Sequence, residues 1–235
     1  MPHLYDSSLC CATDQMALHN ILPRFKFLVL QVLGAARLPP ALIQSPRYPR
    51  VGSQLTFIAR NLSLLTLPRP WLSIDIGCGS TPANPFKANL SKGVDILGTD
   101  NIHILSADLS RDPIPFPDSS AHIITALDFL EHLPRYSIKN NDACFPVVEI
   151  FNEIHRVLIP GGIFFSRTPC FPYKQAYTDP THVNVMTEDT IPLYFCVNNG
   201  SLARPWAEMY GFTGSFLLLD QAWCGSHLLT IIIKH

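Results

Sequence analysis

Charge is scarce in this 235-residue chain. Asp, Glu, Lys and Arg make up 15% of it against 47% hydrophobic residues, a balance that excludes intrinsic disorder over most of its length. Zinc-finger spacing is also absent. The seven cysteines (Cys10, Cys11, Cys78, Cys144, Cys170, Cys196 and Cys224) contain no CxxC pair. An odd, unpatterned set with no recognisable secretory leader is expected of a reducing compartment, so the expected location is cytoplasmic and the thiols are read as small buried groups. Nor is there an apolar run of the about twenty residues that a membrane-spanning helix needs.

The most apolar stretch runs from Pro23 to Arg37 and stops at Pro39-Pro40. Pro23 suits a first helical position and the double proline a stop, which predicts a helix too short to span a bilayer. Two readings stay open for it. Because it is apolar almost all round, packing against the body of the same protein is favoured. The other is peripheral membrane contact through residues 23–37, with Arg24, Lys26 and Arg37 near acidic lipid. Residues 39–52 read as a linker. Charge divides the chain in the same place: residues 1–70 carry seven Lys/Arg against two acids, and residues 71–235 carry ten against sixteen. The expected organisation is a basic, apolar N-terminal helical extension with linker over 1–70, followed by one domain over 71–235.

Within that domain, short apolar runs recur at 71–76, 93–96, 103–108, 122–128, 162–168, 215–220 and 228–233. Unbroken runs of this length predict strands covered on both faces, hence an α/β fold. Between the fourth and fifth, apolar residues at 147, 150, 151, 154, 157 and 158 alternate with Glu149, Asn152, Glu153 and Arg156 at helical spacing, and Pro160-Gly161-Gly162 ends the pattern. This is a crossover helix. The last two runs are separated by only 221–227, too short for a parallel crossover, so they are expected to pair antiparallel. The predicted fold is a doubly wound, Rossmann-like seven-stranded sheet, mostly parallel, ending in an antiparallel hairpin.

The first strand runs into Gly77-Cys-Gly-Ser-Thr-Pro82, where a dinucleotide fingerprint lacks its third glycine and has proline instead. Asp75 beneath the turn would repel a pyrophosphate yet suit a ligand carrying ammonium and sulfonium charge. Asp95 stands where a second-strand acid meets ribose hydroxyls, with Asp100 as the alternative, and Asp108 ends the third strand. These features disfavour an NAD(P)-dependent oxidoreductase and point to a positively charged adenosine ligand.

IDIGCGS (74–80), GVDI (93–96), SADL (106–109), PIPFPD (113–118), DFLEHL (128–133) and EIHRVLIPGG (153–162) follow one another in the order that resembles a class I S-adenosylmethionine-dependent methyltransferase. The resemblance covers roughly 70–235. It implies S-adenosylmethionine as cofactor, with Asp75, Gly77, Cys78 and Gly79 along its methionine part, Asp95 at the ribose, and Asp108 with Leu109 at the adenine. Asp128 and Phe129 would close the pocket. Thr81 stands where the family often has a third glycine, and Pro82 with Pro85 leaves little room for a regular first helix. The GCGSTPxNPF and DPTHVN segments resemble most a bacterial subgroup associated with cell-surface polysaccharide or lipid-linked sugar pathways.

The connection after the fifth strand, Thr168 to Asn184, is long and rich in proline, tyrosine, Asp and His, which reads as a lid over a methyl acceptor. Thr187 is expected to cap a helix after it. An oxygen or nitrogen acceptor needs a positioned base, for which His182 is the leading candidate, with Asp179, Tyr173 and Tyr177 as acceptor contacts; Asp179 and His132 are the other candidate catalytic residues. Asp128-x-x-Glu131-His132 with His182 also resembles the metal cluster of small-RNA 2′-O-methyltransferases. Glu-His-Leu at this place is common in family members without a metal, so none is expected. The acidic body argues against a nucleic-acid partner and for a small-molecule, sugar or lipid-linked acceptor. A noncatalytic S-adenosylmethionine-binding or scaffold protein is the other alternative, and the oligomeric state is not legible.

Overall fold

The computed structural model describes residues 54–62, 67, 69–98, 100–139, 141–197 and 204–235. The predicted helix at 23–37 and the linker at 39–52 lie outside the described residues. Helix α1 (Gln54–Leu62) precedes strands β1 (Leu72–Ile76), β2 (Leu90–Asp95), β3 (Ile104–Ser106) and β4 (Ala121–Leu127). A small hairpin, β5 (Ser137–Lys139) with β6 (Asp142–Cys144), leads to helix α2 (Pro146–Val157) and strand β7 (Leu158–Pro169). Short helices α3 (Gln175–Thr178) and α4 (Thr190–Phe195) follow, then β8 (Phe216–Cys224) and β9 (His227–Lys234).

Seven strands form one sheet in the order β3-β2-β1-β4-β7-β9-β8. The first five are parallel to one another, and β9 is antiparallel to both β7 and β8. The expected doubly wound sheet with an antiparallel end is therefore present. Strand order reverses between β1 and β4, and the crevice beyond their carboxyl ends is where such a sheet binds ligands.

Both faces of the sheet are covered, which is why its strands read as unbroken apolar runs. On one face α2 buries Ile150, Phe151, Ile154 and Val157, as the helical spacing predicted, together with Val148, while the predicted Val147 is only half-buried. Phe151 stacks on Phe195 of α4 with ring centroids 3.7 Å apart and meets Phe164 of β7 edge-on. The other face is unusual. No helix is described between β1 and β2, where Pro82 and Pro85 interrupt a 13-residue connection (77–89), or in the short connection between β2 and β3. Phe57 of α1 and Phe86 of the β1–β2 loop fill that space instead, both packed on Phe165. Helix α1 is tied down at its far end by Asp220 of β8, which accepts from Asn61 at 2.8 Å and pairs with Arg60.

Three local expectations need correction. Thr187 does not cap α4: it closes a turn with Thr190, whose hydroxyl accepts the Thr187 amide, and the helix starts three residues later behind Asp189. Pro160-Gly161-Gly162 lies inside β7 rather than at a helix end, since Leu158 already pairs with Ala121. The β5–β6 hairpin was not foreseen, its strands being three residues each and half exposed.

Arg156 on α2 holds the proline-rich 113–118 loop. Its guanidinium grips both oxygens of Glu153, donates to the Ile114 and Phe116 carbonyls at 2.9 Å, and reaches Asp118 at 2.7 Å. Removing it leaves the part-buried Glu153 carboxylate with only the Ile114 amide and takes the guanidinium donors from the Ile114 and Phe116 carbonyls, so Arg156→Met is expected to cost about 2 kcal/mol. Asp118 is exposed, and Asp118→Asn should cost less than about 0.5 kcal/mol, both read from urea denaturation.

Candidate active site

Where β1 ends, the chain is folded back on itself by two carboxylates. Asp75, 3% exposed, accepts the Thr125 hydroxyl of β4 at 2.6 Å and the Ala83 amide at 2.8 Å. Burial pushes its pKa up to about 6 against those two hydrogen bonds, with a small further push from Asp95. Asp95 at the end of β2 accepts the Gly79 amide at 2.7 Å and the Leu97 amide at 2.9 Å. Between these anchors the loop uses its glycines for two different reasons. At Gly77 (φ 69°) a Cβ would sit 2.4 Å from the Phe129 ring, so the glycine there serves close packing. At Gly79 (φ 60°) a Cβ would meet nothing within 4 Å, which leaves the backbone open to a ligand. Cys78 packs its sulfur over Gly93, and burial, followed by the charges of Asp75 and Asp95, pushes its thiol up to about 11.

The ends of β2 and β3 are joined by the Ala107 amide on the Asp95 carbonyl. Just beyond, Asp108 accepts the Ser110 amide and hydroxyl, and Leu109 is buried. Asp100 is exposed in the loop before β3, so Asp95 is the acid at the end of β2. The residues predicted for the cofactor thus do gather at the carboxyl ends of adjoining strands. An open glycine, half-buried carboxylates and the apolar Leu109 and Phe129 fit a cationic adenosine cofactor. No helix N-terminus follows the glycines, so the arrangement that holds a pyrophosphate in a dinucleotide fold is not built here.

Asp128 turns the other way. It takes a left-handed backbone (φ 54°) directly after β4 and pairs with Arg167 of β7 and His227 of β9, the latter at 3.4 Å. Strain of this kind in a non-glycine residue often marks a functional site. Arg167 also donates to Gln54 of α1 at 3.3 Å. Burial lowers the pKa of His227, with Asp128 opposing.

One turn further, Leu130–His132 form a 3-10 helix. Glu131 is 1% exposed; its Oε2 accepts the Thr168 hydroxyl at 2.8 Å, and burial raises its pKa to about 7. The His132 and His182 rings meet edge to face with centroids 4.8 Å apart. Thr181 donates its hydroxyl to Asp179 at 2.7 Å and accepts from His132 Nδ1 at 3.0 Å, while His182 Nδ1 donates to the Gln175 carbonyl at 3.2 Å. Those hydrogen bonds lower the pKa of the exposed Asp179. The lid is held over this turn: the Asn184 amide donates to the Glu131 carbonyl, and Arg135 to the Val183 carbonyl.

The structure therefore brings His132, Asp179 and His182 together, while the two tyrosines do not join them. Tyr173 packs on Trp223 with centroids 5.1 Å apart, and Tyr177 is exposed. Thr125, Arg167, Thr168, Thr181 and His227 were missed. Arg167-Thr168 was the legible part, polar residues at the carboxyl end of an otherwise buried strand. A cavity of about 540 Å³ opens between Leu109–Pro113, the β5–β6 hairpin and α2, apart from the histidines; Leu109 alone of the predicted residues lines it.

Residues 74–166 match a family model described as "Methyltransferase domain". Over that span the chain is similar to a methyltransferase domain. No curated protein matches the chain. Solved structures with a similar arrangement include the YcgJ protein from Bacillus subtilis (14% identity, 76% of this chain and 97% of that one, TM-score 0.47). A SAM dependent methyltransferase from Aquifex aeolicus is 13% identical over 75% of this chain and 88% of that one (TM-score 0.46). An S-adenosylmethionine dependent methyltransferase from Mesorhizobium loti is 16% identical over 74% and 96% (TM-score 0.42).

Because the folded pKa of Asp75 is raised from 3.8 to about 6, its contribution to stability is full below pH 3.8 and is lost as pH rises through 6. Relative to Asp75→Asn, the wild type should lose about 2.4 kcal/mol between pH 4 and pH 7 in urea denaturation. Gly77→Ala, strained in backbone and against Phe129, should weaken S-adenosylhomocysteine binding at least about tenfold by calorimetry.

Proposed function

We propose that this domain transfers the methyl group of S-adenosylmethionine to an oxygen or nitrogen atom of a small-molecule, sugar or lipid-linked acceptor seated under the 170–189 lid. The observation that carries this reading is the pairing of His132 with His182 beside the glycine loop. Each ring has its Nδ1 committed to a hydrogen bond, and Nε2 of His182 lies 4.0 Å from an Asp179 oxygen, a neighbour that would favour proton uptake there. His182 is the base that takes the acceptor's proton. His132 and Asp179 position it, joined through Thr181, and the exposed Asp179 offers the proton a route to solvent.

Asp75, Gly77, Cys78, Gly79, Asp95, Asp108, Leu109 and Phe129 would hold the cofactor, and Asp128, through Arg167 and His227, would set the boundary between cofactor and acceptor. When bound, the cofactor supplies an electrophilic methyl group on a positive sulfur, so that a new C–O or C–N bond forms as the S–CH₃ bond breaks. The chain's own share is alignment and exclusion of water, for which the lid pinned on Glu131 is suited. A reducing, cytoplasmic setting is consistent with five free cysteines among the described residues. No helix among those residues is long and apolar enough to cross a membrane.

His182→Ala is expected to leave S-adenosylhomocysteine affinity within about threefold while slowing transfer by about a hundredfold or more. Calorimetry reads the first and transfer of a labelled methyl group into fractionated cell extract the second. Unchanged transfer in the variant would sink the role given to His182.

A further inference from the structure

We propose that the cavity between the β5–β6 hairpin, α2 and the turn after β3 is a second ligand site, one that takes an organic cation with an apolar body and is coupled to the cofactor residues at the end of β3. At about 540 Å³ it has the size of a small-molecule pocket, and it lies apart from the histidines under the lid. It exists because of what the chain leaves out. No helix is described in the β3–β4 connection, where Pro113, Pro115 and Pro117 stand, so the flank of α2 carrying Glu149 and Ile150 borders open space instead of a crossover helix.

The hairpin is the second observation. Its strands pair only with each other, and none of its described side chains is fully buried. Ser137 and Cys144 are joined at 2.9 Å, and together with Ile138 they wall the cavity. Ile138 is 74% exposed. An isoleucine held out on a hairpin, lining one cavity with Leu109, Pro113 and Ile150, is an apolar surface that a ligand can cover.

Charge fixes the sign of that ligand. Glu153 is already occupied by Arg156 and the Ile114 amide, and Arg111 leans towards Asp108 at 3.6 Å. The Asp112 carboxylate receives one long hydrogen bond, 3.3 Å from the Asp108 amide, and among the described residues the Glu149 carboxylate meets no donor and no cation. Covering these acids with a neutral or anionic molecule would strip water from an unpaired charge, whereas an ammonium group supplies the missing partner.

The coupling follows from the turn at 108–112. The Asp108 carbonyl accepts the amides of Arg111 and Asp112, the Asp112 carboxylate accepts the Asp108 amide, and Leu109 lines the cavity. A cation held by Asp112 therefore acts on the few residues that carry Asp108 and Leu109, the pair assigned to the cofactor above. The coupling rests on that assignment; the site itself does not. Linkage makes the effect mutual, the ligand changing cofactor affinity by the factor with which the cofactor changes its own.

The test uses the full chain and dansylcadaverine, a primary amine on an apolar fluorophore, with its uncharged N-acetyl form as the control. Fluorescence titration should show one equivalent of dansylcadaverine bound and the uncharged form at least about tenfold weaker. Glu149→Gln, and Asp112→Asn with its acceptor for the Asp108 amide kept, should each lower affinity about fivefold or more, and Ile138→Ser about threefold. Asp142→Asn, which removes a hairpin acid outside the cavity, should leave it within about twofold. Saturating dansylcadaverine should shift S-adenosylhomocysteine affinity at least about threefold by calorimetry. Equal binding of the uncharged form, equal affinity in Glu149→Gln and wild type, or complete displacement by S-adenosylhomocysteine would overturn the site, and unchanged S-adenosylhomocysteine affinity would overturn the coupling. Dansylcadaverine bound as described by a protein that takes no S-adenosylhomocysteine would leave the site standing and remove the cofactor assignment instead.

Discussion

The Asp75 carboxylate lies at the point where the strand order turns back, and the top of the sheet is organised around the need to satisfy it. One oxygen takes a hydroxyl from β4 and the other an amide from Ala83, eight residues along the chain. A buried carboxylate with two good donors is tolerable, and with one lost it is not. That requirement bends the glycine loop back over β1 and keeps β1 and β4 in register. It also fixes the place of Gly77, against which Phe129 and the turn carrying Glu131 and His132 are packed. Cofactor loop and histidine cluster are thus two ends of one rigid arrangement.

The sheet meets a second constraint in an uncommon way. A doubly wound fold ordinarily covers each face with helices that connect parallel strands, and prolines and short connections deny this chain those helices around β2. Helix α1, which comes before the sheet in the chain, covers that face with Phe57 and Ile58, and the non-helical β1–β2 loop contributes Phe86 and Ala88. Since Gln54 at the start of α1 touches Arg167, the covering element also reaches the Asp128–Arg167 pair.

Much of the fold was legible because burial on both faces leaves a mark that needs no partner to interpret: an unbroken apolar run is a central strand wherever it pairs. The α2 pattern was legible for the same reason, its apolar stripe recording the contact with Phe164 and Phe195. Boundaries were less so. Thr187 has the chemistry of a cap, yet its amide is taken by Thr190 and the helix begins later. The β5–β6 hairpin has no buried face and so left no periodicity to read.

Within the site, the positions of Asp75, Gly77, Gly79, Asp95 and Asp108 followed from the sequence, because each is tied to a strand end and strand ends are set by local pattern. What the sequence by itself determined was the sheet and the glycine loop. Only the tertiary structure decided which way Asp128 faces, since its partners Arg167 and His227 lie 39 and 99 residues away. The same holds for His132 and His182, separated by fifty positions and joined by a lid whose hold on Glu131 depends on backbone hydrogen bonds. Those bonds carry no side-chain signature, so no sequence pattern could have announced them.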